Sequence, residues 1–153
     1  QTNHVNPAQE HLVSNVIRQK LIVGIDRVGS SIKVNKQFLL FLPEGEYHEL
    51  GILYVYYLLK SRGAGVMYLG ANVPLKDLEY VINIKKPDQL YSHITSTQAS
   101  GKLEKFVSQL HQNHPTIPLV ISGSLAQNGQ KKLPETIHLK TSLSQVIEHI
   151  SLL

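Results

Sequence analysis

The chain alternates between short apolar runs and longer segments in which apolar residues recur at helical spacing. The short runs are bounded by Gly, Pro or polar residues and predict strands near 37–42, 65–69, 88–94, 118–122 and 135–138. The longer segments predict helices near 47–61, 75–84, 100–113, 125–131 and 142–151. This alternation predicts a parallel sheet covered by helices on both faces and linked by right-handed crossovers. Five strands in this length fit a flavodoxin-like, doubly wound α/β domain.

A separate helix is predicted before the first strand. The segment 6–9 (Asn-Pro-Ala-Gln) has the residues of a helix start, namely an Asn N-cap, Pro at the first helical position and Gln at the third. Apolar residues at helical spacing continue to about Ile25, and the Gly- and Ser-bearing segment 26–35 predicts a linker. We therefore divide the chain into a helical piece, residues 1–35, and an α/β domain, residues 36–153.

Composition narrows the classes of protein. The 153 residues are 42% hydrophobic and 17% charged, which is typical of one globular domain. No apolar run reaches the roughly 20 residues needed to cross a bilayer, and no secretory signal is present, so we expect a cytoplasmic protein without membrane contact. Because the chain has no cysteine, disulfides, thiolate metal sites and thiol nucleophiles are excluded. The net charge of +4 is scattered and indicates solvated faces instead of a nucleic-acid surface.

Several common site motifs are missing from the sequence. It contains no Gly-x-Gly-x-x-Gly, no Gly-Lys-Ser/Thr and no Gly-x-Ser-x-Gly, which excludes a dinucleotide fingerprint, a P-loop and a hydrolase elbow. A receiver domain has the same sheet order, but its acidic pair and phosphoacceptor Asp have no counterpart here. His111 and His114 are three residues apart on a predicted helix, and Pro115 follows them, so a solvated helix end is the simpler interpretation.

The residues that follow the first strand carry the candidate chemistry. The apolar run ends at Pro43, a short polar turn follows, and the next helix opens on His48. Ligands of open α/β sheets bind where strands end and helices begin, so His48 is expected to face that crevice. Imidazole is a good ligand for metals of the cobalt class, and a ligating His needs an acceptor for its other ring N–H. Glu46 can be that acceptor, and Gly51, one turn along the helix, leaves room for a bulky planar ligand.

The spacing Glu46-x-His48-x-x-Gly51 resembles the Asp/Glu-x-His-x-x-Gly motif of cobalamin-binding domains. The surrounding stretch, residues 43–78 (PEGEYHELGILYVYYLLKSRGAGVMYLGANVPLKDL), resembles the cobalamin-binding module of MerR-type transcriptional regulators, the group that includes the adenosylcobalamin-dependent photoreceptors. This resemblance implies a cobalamin-binding, Rossmann-like domain that takes the cofactor base-off. It also implies that His48 is the lower axial cobalt ligand and that Glu46 accepts the other N–H of its ring.

The resemblance further implies a slot beside the sheet for the nucleotide tail of the cofactor. In the family, a Ser-x-Leu/Thr segment after the third strand and a Gly-Gly segment after the fourth line this slot. The segments here are 91–96 (YSHITS) and 121–124 (ISGS), which depart from the family pattern, and either Ser92 or Thr95 can take the serine role. The turn 68–74 (YLGANVP) matches the family, where it borders the cofactor. The implied corrin or tail contacts are Tyr47, Gly51, Tyr68, Gly70, Asn72, Val73, Ser92, Thr95, Ser96, Gly123 and Ser124.

The first helix gives a second match. Glu10 and His11, followed by Ile17-Arg18, resemble the last helix of the four-helix bundle that caps the upper face of the cofactor in these regulators. In the family a Glu-His pair encloses the adenosyl group together with a Trp that would fall before residue 1 here. Residues 1–35 would then be the last helix of the cap with its linker, and Glu10 and His11 would lie above the corrin. The plainer interpretation is that Glu10 complements the positive helix N-terminus.

The implied function is that of the sensory domain of a MerR-type regulator that is not an enzyme and binds cobalamin, with adenosylcobalamin as the expected form. DNA binding would belong to a helix-turn-helix segment missing from this sequence, and a chain that begins with Gln is expected to be part of a longer, homo-oligomeric protein. In the photoreceptor branch, light breaks the cobalt–carbon bond and dissolves the oligomer, so light sensing is a hypothesis by resemblance. Two alternatives stay open: the corrinoid carrier of a methyltransferase or mutase, and a flavodoxin-like interaction domain without cofactor.

Overall fold

The computed structural model describes residues 6–30, 33–124 and 134–153, except for the side chains of residues 97–102. Its helices are α1 (Pro7–Arg27), α2 (Glu49–Ser61), α3 (Leu75–Lys85), α4 (Thr97–Asn113) and α5 (Leu143–Ser151). Its strands are β1 (Val34–Phe41), β2 (Ala64–Tyr68), β3 (Gln89–His93), β4 (Leu119–Ser122) and β5 (Ile137–Lys140). The helix predicted at 125–131 lies outside the described residues. None of the described helices combines the length and the apolar character needed to cross a membrane.

The five strands form one parallel sheet in the order β2-β1-β3-β4-β5. This is the flavodoxin-like order, so the predicted fold class is confirmed. The strand order reverses between β1 and β3, and Leu40 of β1 lies between Tyr68 of β2 and Tyr91 of β3. The loops that leave β1 and β3 therefore begin side by side at the carboxyl end of the sheet, where open α/β sheets bind their ligands.

Each face of the sheet has its own apolar core, because side chains alternate between the two faces along a strand. Leu39 and Phe41 of β1 pack on one face with Leu78 of α3 and Leu110 of α4. The other face is covered by α2 and α5, and its core includes Phe38, Leu40, Leu42, Ile52, Val55, Leu59, Val146 and Ile150. Burial on both faces explains why residues 38–42, from the second half of β1 to the residue after it, form a continuous apolar run in the sequence.

α1 begins as the sequence predicts. The Asn6 side chain accepts a hydrogen bond from the Ala8 N–H (2.9 Å), and the Asn6 N–H donates to the Gln9 side chain (3.2 Å). The helix ends at Arg27, two residues beyond the expected end, so the connection to β1 is shorter than the predicted linker. The division of the chain at residue 35 stays a prediction.

Several element boundaries differ from the prediction, among them the start of α4 at Thr97 instead of 100. Three of the differences have local reasons. β5 begins at Ile137 and not at 135, because a turn comes first in which the Pro134 carbonyl accepts the Ile137 N–H (2.9 Å). α2 begins at Glu49 and not at 47, because the backbone N–H groups of Tyr47 and His48 donate to the Glu46 side chain in the preceding turn. β1 begins at Val34, three residues early, where its register with β2 is irregular.

Candidate functional site

The loop between β1 and α2 is a tight turn that is fixed to a neighbouring loop. The Glu46 N–H donates to the Pro43 carbonyl (2.9 Å), and Gly45 in this turn has a φ of 89°, which L side chains rarely adopt. Asn72, from the loop after β2, accepts the Gly45 N–H on its side chain (3.0 Å) and donates its own N–H to the Glu46 carbonyl (3.1 Å). The turn therefore holds Glu46 in a defined position at the carboxyl end of the sheet.

The Glu46 side chain is fully buried, and N–H donors surround its carboxylate. Oε1 accepts the backbone N–H groups of Tyr47 and His48, both at 3.0 Å. Oε2 accepts the backbone N–H groups of Thr95 (2.6 Å) and Ser96 (2.7 Å), which follow β3. Burial alone would raise the pKa of this carboxyl, but the N–H donors of Ser96, His48 and Thr95 outweigh burial and lower the pKa to about 2. Glu46 is therefore ionised at neutral pH.

The ionised carboxylate fixes the tautomer and the orientation of the His48 ring. His48 Nδ1 lies 2.6 Å from Glu46 Oε1. Because the carboxylate carries no proton, Nδ1 is the donor, and the neutral ring then has its lone pair on Nε2. His48 is the N-cap residue of α2 but makes no side-chain cap bond, and its side chain is 70% exposed. The predicted contact between Glu46 and His48 is present, and it leaves Nε2 as the accessible nitrogen of the ring.

The exposed side of His48 lines a cleft between α1 and the start of α2, here called the α1–α2 cleft. Its volume is about 740 Å³, and Glu10 and His11 of α1 line it together with Tyr47 and His48. These four predicted site residues are thus brought together from segments about 36 positions apart in the sequence. The other lining residues are Ser14, Asn15, Arg18, Glu49, Leu50, Gly51, His93 and Thr95.

A second cavity, here called the slot, lies beside the carboxyl ends of β3 and β4 and the start of α5. Its volume is about 290 Å³, and its lining includes the predicted contacts Gly51, Gly123 and Ser124. Gly123 has a φ of 105°, and a Cβ built on it would overlap the carbonyl oxygen of Ile94, so only glycine fits there. The other lining residues, which were not predicted as site residues, are Tyr54, Val55, His93, Ser122, Lys140, Thr141, Ser142, Leu143 and Val146.

His93, which the sequence motifs did not indicate as a site residue, lies where the α1–α2 cleft meets the slot. Of the described residues, only Gly51 and His93 line both cavities. His93 Nδ1 is 2.9 Å from Ser122 Oγ, which also accepts the Tyr91 hydroxyl at 2.9 Å. A Cβ built on Gly51 would overlap the His93 ring, so the ring fills the space that this glycine leaves open. The alternation of side chains along β3 could have indicated His93 from the sequence, because it places Tyr91 and His93 on one face of the sheet and Ser92 on the other.

One curated relative is a transcriptional regulator. The HTH-type transcriptional repressor CarH of Myxococcus xanthus is 30% identical to the chain over 124 residues, which are 80% of the chain and 41% of the repressor. Over most of its length, this chain is related to the MerR-type repressors. The resemblance that its motifs predict is thereby confirmed, and the chain spans about two fifths of the length of CarH. No protein-family model matches the chain.

Solved structures of a cobalamin-binding protein and of a corrinoid protein share the fold of this chain. A cobalamin-binding protein from Desulfitobacterium hafniense has a TM-score of 0.61 over 77% of this chain and 57% of its own, at 17% identity. The monomethylamine corrinoid protein of Methanosarcina barkeri has a TM-score of 0.64 over 91% of this chain and 65% of its own, at 14% identity. At these identities the likeness concerns the fold, which is the cobalamin-binding, Rossmann-like fold.

In this chain, Tyr68 belongs to a network that joins α1 to α2. Its hydroxyl donates to Glu49 Oε1 (2.8 Å), and the Arg18 Nε–H donates to Glu49 Oε2 (2.8 Å). Burial raises the pKa of Tyr68, and the Glu49 carboxylate raises it further. Burial also works to raise the pKa of Glu49, but the hydrogen bonds from Arg18 and Tyr68 lower it on balance. Tyr68 lines neither the α1–α2 cleft nor the slot, so its contact with a cofactor stays a prediction.

Gly70, Asn72 and Val73 lie in the loop after β2 and support the turn that carries Glu46. Val73 forms a bridge with Pro43 and donates its N–H to the Leu42 carbonyl (2.9 Å). Gly70 and Asn72 have positive φ values, 92° and 56°, and the Gly70 carbonyl accepts the Leu42 N–H (3.0 Å). None of the three lines the α1–α2 cleft or the slot, and their contacts with a cofactor also stay predictions.

Ser92 lies within β3 and Thr95 lies after it, and the two hydroxyl residues have different surroundings. Ser92 pairs in register with Phe41 and Ile121 and shares their face, under α3 and α4, where its buried hydroxyl has no hydrogen-bond partner among the described residues. It lines neither cavity. Thr95 lines the α1–α2 cleft, and the Ser124 hydroxyl donates to the Thr95 carbonyl (3.3 Å) at the edge of the slot. Of the two candidates for the serine role, Thr95 is therefore the one placed beside a cavity.

Proposed function

We propose that this chain is the cobalamin-binding sensory domain of a MerR-type transcriptional regulator and takes the cofactor base-off, with His48 Nε2 as the lower axial cobalt ligand. The observation that carries the proposal is the hydrogen bond between His48 Nδ1 and the buried Glu46 carboxylate, which leaves Nε2 accessible at a cleft. The sequence similarity to CarH and the fold shared with corrinoid proteins support the same assignment.

A single imidazole suits a metal whose other ligands come from a macrocycle. No group of three or more His, Cys, Asp or Glu side chains that could hold a metal ion occurs in the described parts of the chain. A bare ion such as zinc takes about three or four protein ligands, whereas a corrin supplies the in-plane ligands of its cobalt. The hydrogen bond to Glu46 also fixes the orientation of the His48 imidazole as a ligand.

In the proposed arrangement the two cavities hold different parts of a cobalamin. The α1–α2 cleft, at about 740 Å³, falls within the range of roughly 300–1,000 Å³ that is usual for ligand sites. In the proposed arrangement Tyr47 and Thr95 lie beside the corrin, and Glu10 and His11 of α1 lie above it. The slot, which Gly123 and Ser124 line with Lys140 and Thr141, would take the nucleotide tail, since hydroxyl and ammonium groups suit a phosphate.

The spectrum of bound cobalamin tests the ligand assignment. Wild type titrated with hydroxocobalamin should give the absorption change of a base-off, His-on complex, and His48→Ala should not. We expect His48→Ala to lose at least the roughly 10- to 100-fold in affinity that is typical of losing a ligand's hydrogen-bond partner. His138→Ala, which removes an exposed imidazole from β5, is the matched control and should bind as wild type does. Equal affinities and spectra for wild type and His48→Ala would retire the assignment.

The form of the cofactor and its consequence for the whole protein are further parts of the proposal. Adenosylcobalamin is the proposed form, and when bound it supplies a cobalt–carbon bond that light can break. A homo-oligomer that binds DNA through a helix-turn-helix segment is proposed for the full-length protein. The mass of the cofactor-loaded protein, measured in the dark and after illumination, tests light sensing. An unchanged mass would remove that part and leave cobalamin binding standing.

The alternative function is that of a corrinoid carrier in a methyltransferase or mutase. Its support is the fold likeness to the monomethylamine corrinoid protein over 91% of the chain. Comparing methylcobalamin with adenosylcobalamin separates the two functions. A regulator domain with Glu10 and His11 above the corrin should reach the base-off, His-on spectrum with adenosylcobalamin, and a methyl carrier should reach it with methylcobalamin.

A further inference from the structure

The His93 ring stands between two cavities that one elongated ligand would have to span. His93 and Gly51 line both the α1–α2 cleft and the slot. The ring edge formed by Cδ2, Nε2 and Cε1 lies against Gly51, at the place where any other residue would have its Cβ. The glycine that would give a ligand access to the backbone thus has its open side covered by a side chain of the protein itself.

The ring is held in this position from β4. The Tyr91 hydroxyl donates to Ser122 Oγ (2.9 Å), so the Ser122 proton is available for His93 Nδ1 at 2.9 Å. Burial lowers the pKa of His93, although the Glu46 carboxylate acts against this effect, and the neutral ring can therefore accept on Nδ1. One hydrogen bond to a side chain and the packing on Gly51 are contacts that a rotation of the side chain can break.

We propose that His93 determines which corrinoids enter freely: its ring closes the passage from the α1–α2 cleft to the slot and must turn away from Gly51 before a nucleotide tail can occupy the slot. This inference rests on the proposed function and deepens it. A corrinoid without a nucleotide tail fills only the α1–α2 cleft and leaves the ring in place. A tail-bearing corrinoid binds only the conformation in which the ring has moved, so its apparent affinity is reduced by the population of that conformation.

Two cobalt(III) probes separate these cases, hydroxocobalamin with its nucleotide tail and diaquocobinamide without one. Dissociation constants are measured for both probes with wild type, His93→Ala and the control His138→Ala. We expect His93→Ala to bind hydroxocobalamin about 10-fold more tightly, the factor that corresponds to about 1.4 kcal/mol. Its affinity for diaquocobinamide should stay within about 2-fold of the wild-type value, which is the scale of a minor packing change.

NMR of wild type tests the movement itself. In the free protein the His93 ring protons should show cross-relaxation with the Gly51 α protons. Diaquocobinamide should leave this signal in place, and hydroxocobalamin should remove it. If circular dichroism shows that His93→Ala does not fold, His93→Asn replaces it, since the shorter side chain keeps an acceptor for Ser122.

The binding and NMR results distinguish failure of the His93 inference from failure of the proposed function. Three results would overturn the role of His93. The affinities of His93→Ala for the two probes could change equally, or its affinity for hydroxocobalamin could be weaker than that of wild type. The third is a His93–Gly51 cross-relaxation signal that persists when hydroxocobalamin is bound. Binding of diaquocobinamide that is lost in His48→Ala would still support the proposed function in that event. If neither probe binds wild type or His93→Ala, the proposed function fails and the inference falls with it.

Discussion

The ionised Glu46 carboxylate is buried away from water. Burying a charge destabilises the folded state unless hydrogen-bond donors compensate for the lost hydration. The compensating groups come from two loops: the backbone N–H groups next to Glu46 and those of Thr95 and Ser96 beyond β3. The same carboxylate holds the His48 ring. One side chain therefore ties the loop after β1 to the loop after β3 and orients the candidate ligand.

Replacing Glu46 by Gln should make stability less dependent on pH. The folded-state pKa of Glu46 is lowered from 4.5 to about 2, so its contribution to stability is present above about pH 4.5 and is lost as the pH falls towards 2. By linkage this contribution is roughly 3 kcal/mol of the unfolding free energy at neutral pH. Urea denaturation between pH 7 and pH 2 should show a large difference between wild type and Glu46→Gln at neutral pH that shrinks in acid.

The neighbouring Glu44 provides the control for this measurement. Glu44 lies in the same turn with an exposed side chain, so Glu44→Gln should follow the pH profile of wild type closely. Parallel profiles for wild type and Glu46→Gln throughout the acid range would show that the Glu46 carboxylate is not the group that is stabilised in the fold.

At the scale of elements, the loops at the carboxyl ends of the strands are shaped by glycines for two different reasons. Gly70 after β2 has a φ of 92°, and a Cβ built there would meet no heavy atom within 4 Å. Gly123 after β4 has a similar φ of 105°, but a Cβ there would overlap the carbonyl oxygen of Ile94. The first position requires glycine for its backbone conformation alone, and the second also requires it because two loops approach closely.

This difference predicts unequal effects of the same substitution. Gly70→Ala should cost about 1–2 kcal/mol, the usual penalty for a side chain in the left-handed region. Gly123→Ala should cost more by about 1–3 kcal/mol, because the added methyl group overpacks the contact with a neighbouring backbone. Chemical denaturation of the two variants measures both values. Equal losses would mean that the loop after β4 can move away from Ile94 without penalty.

At the scale of the whole molecule, α1 is attached less firmly than the elements of the sheet. Leu12, Val13, Val16 and Ile17 are between 44% and 66% exposed, and Ile25 is the residue of α1 that is buried. The helix is held to α2 by polar contacts such as the Arg18–Glu49 ion pair and the hydrogen bond from the Lys60 ammonium to the Ile25 carbonyl. The sheet, in contrast, has a buried core on each face. α1 should therefore open as a unit of its own.

Arg18→Met should loosen α1 and leave the sheet unchanged. Its ion pair with Glu49 is partly exposed, and such pairs contribute about 0.2–1 kcal/mol, so the amides of α1 should exchange with solvent up to about 5-fold faster. Amides of β1 and β3 should exchange at the wild-type rate. Lys20→Met removes an exposed cation from the same helix and is the control. Equal acceleration in α1 and the sheet would show that the two unfold together.

The local part of the site follows from the order of residues alone. The turn residues, the buried Glu46 carboxylate and the His48 imidazole all lie between Pro43 and His48. The β1–turn–α2 unit therefore brings them together regardless of how the rest of the chain folds. The helices and strands also follow from the order of residues alone, because hydrophobic periods of 2 and 3.6 residues are properties of short segments. Fold class, the position of His48 and its contact with Glu46 were predictable for this reason.

Contacts between distant segments depended on the tertiary structure. The donors of Thr95 and Ser96 are 49 and 50 positions from Glu46, and only the adjacency of β1 and β3 brings them to its carboxylate. Strand register decides that His93 faces the cavities and Ser92 the opposite core, since a shift of one residue exchanges the two faces. The sequence thus determined the elements and the His48–Glu46 pair, and the arrangement of the sheet decided what surrounds them.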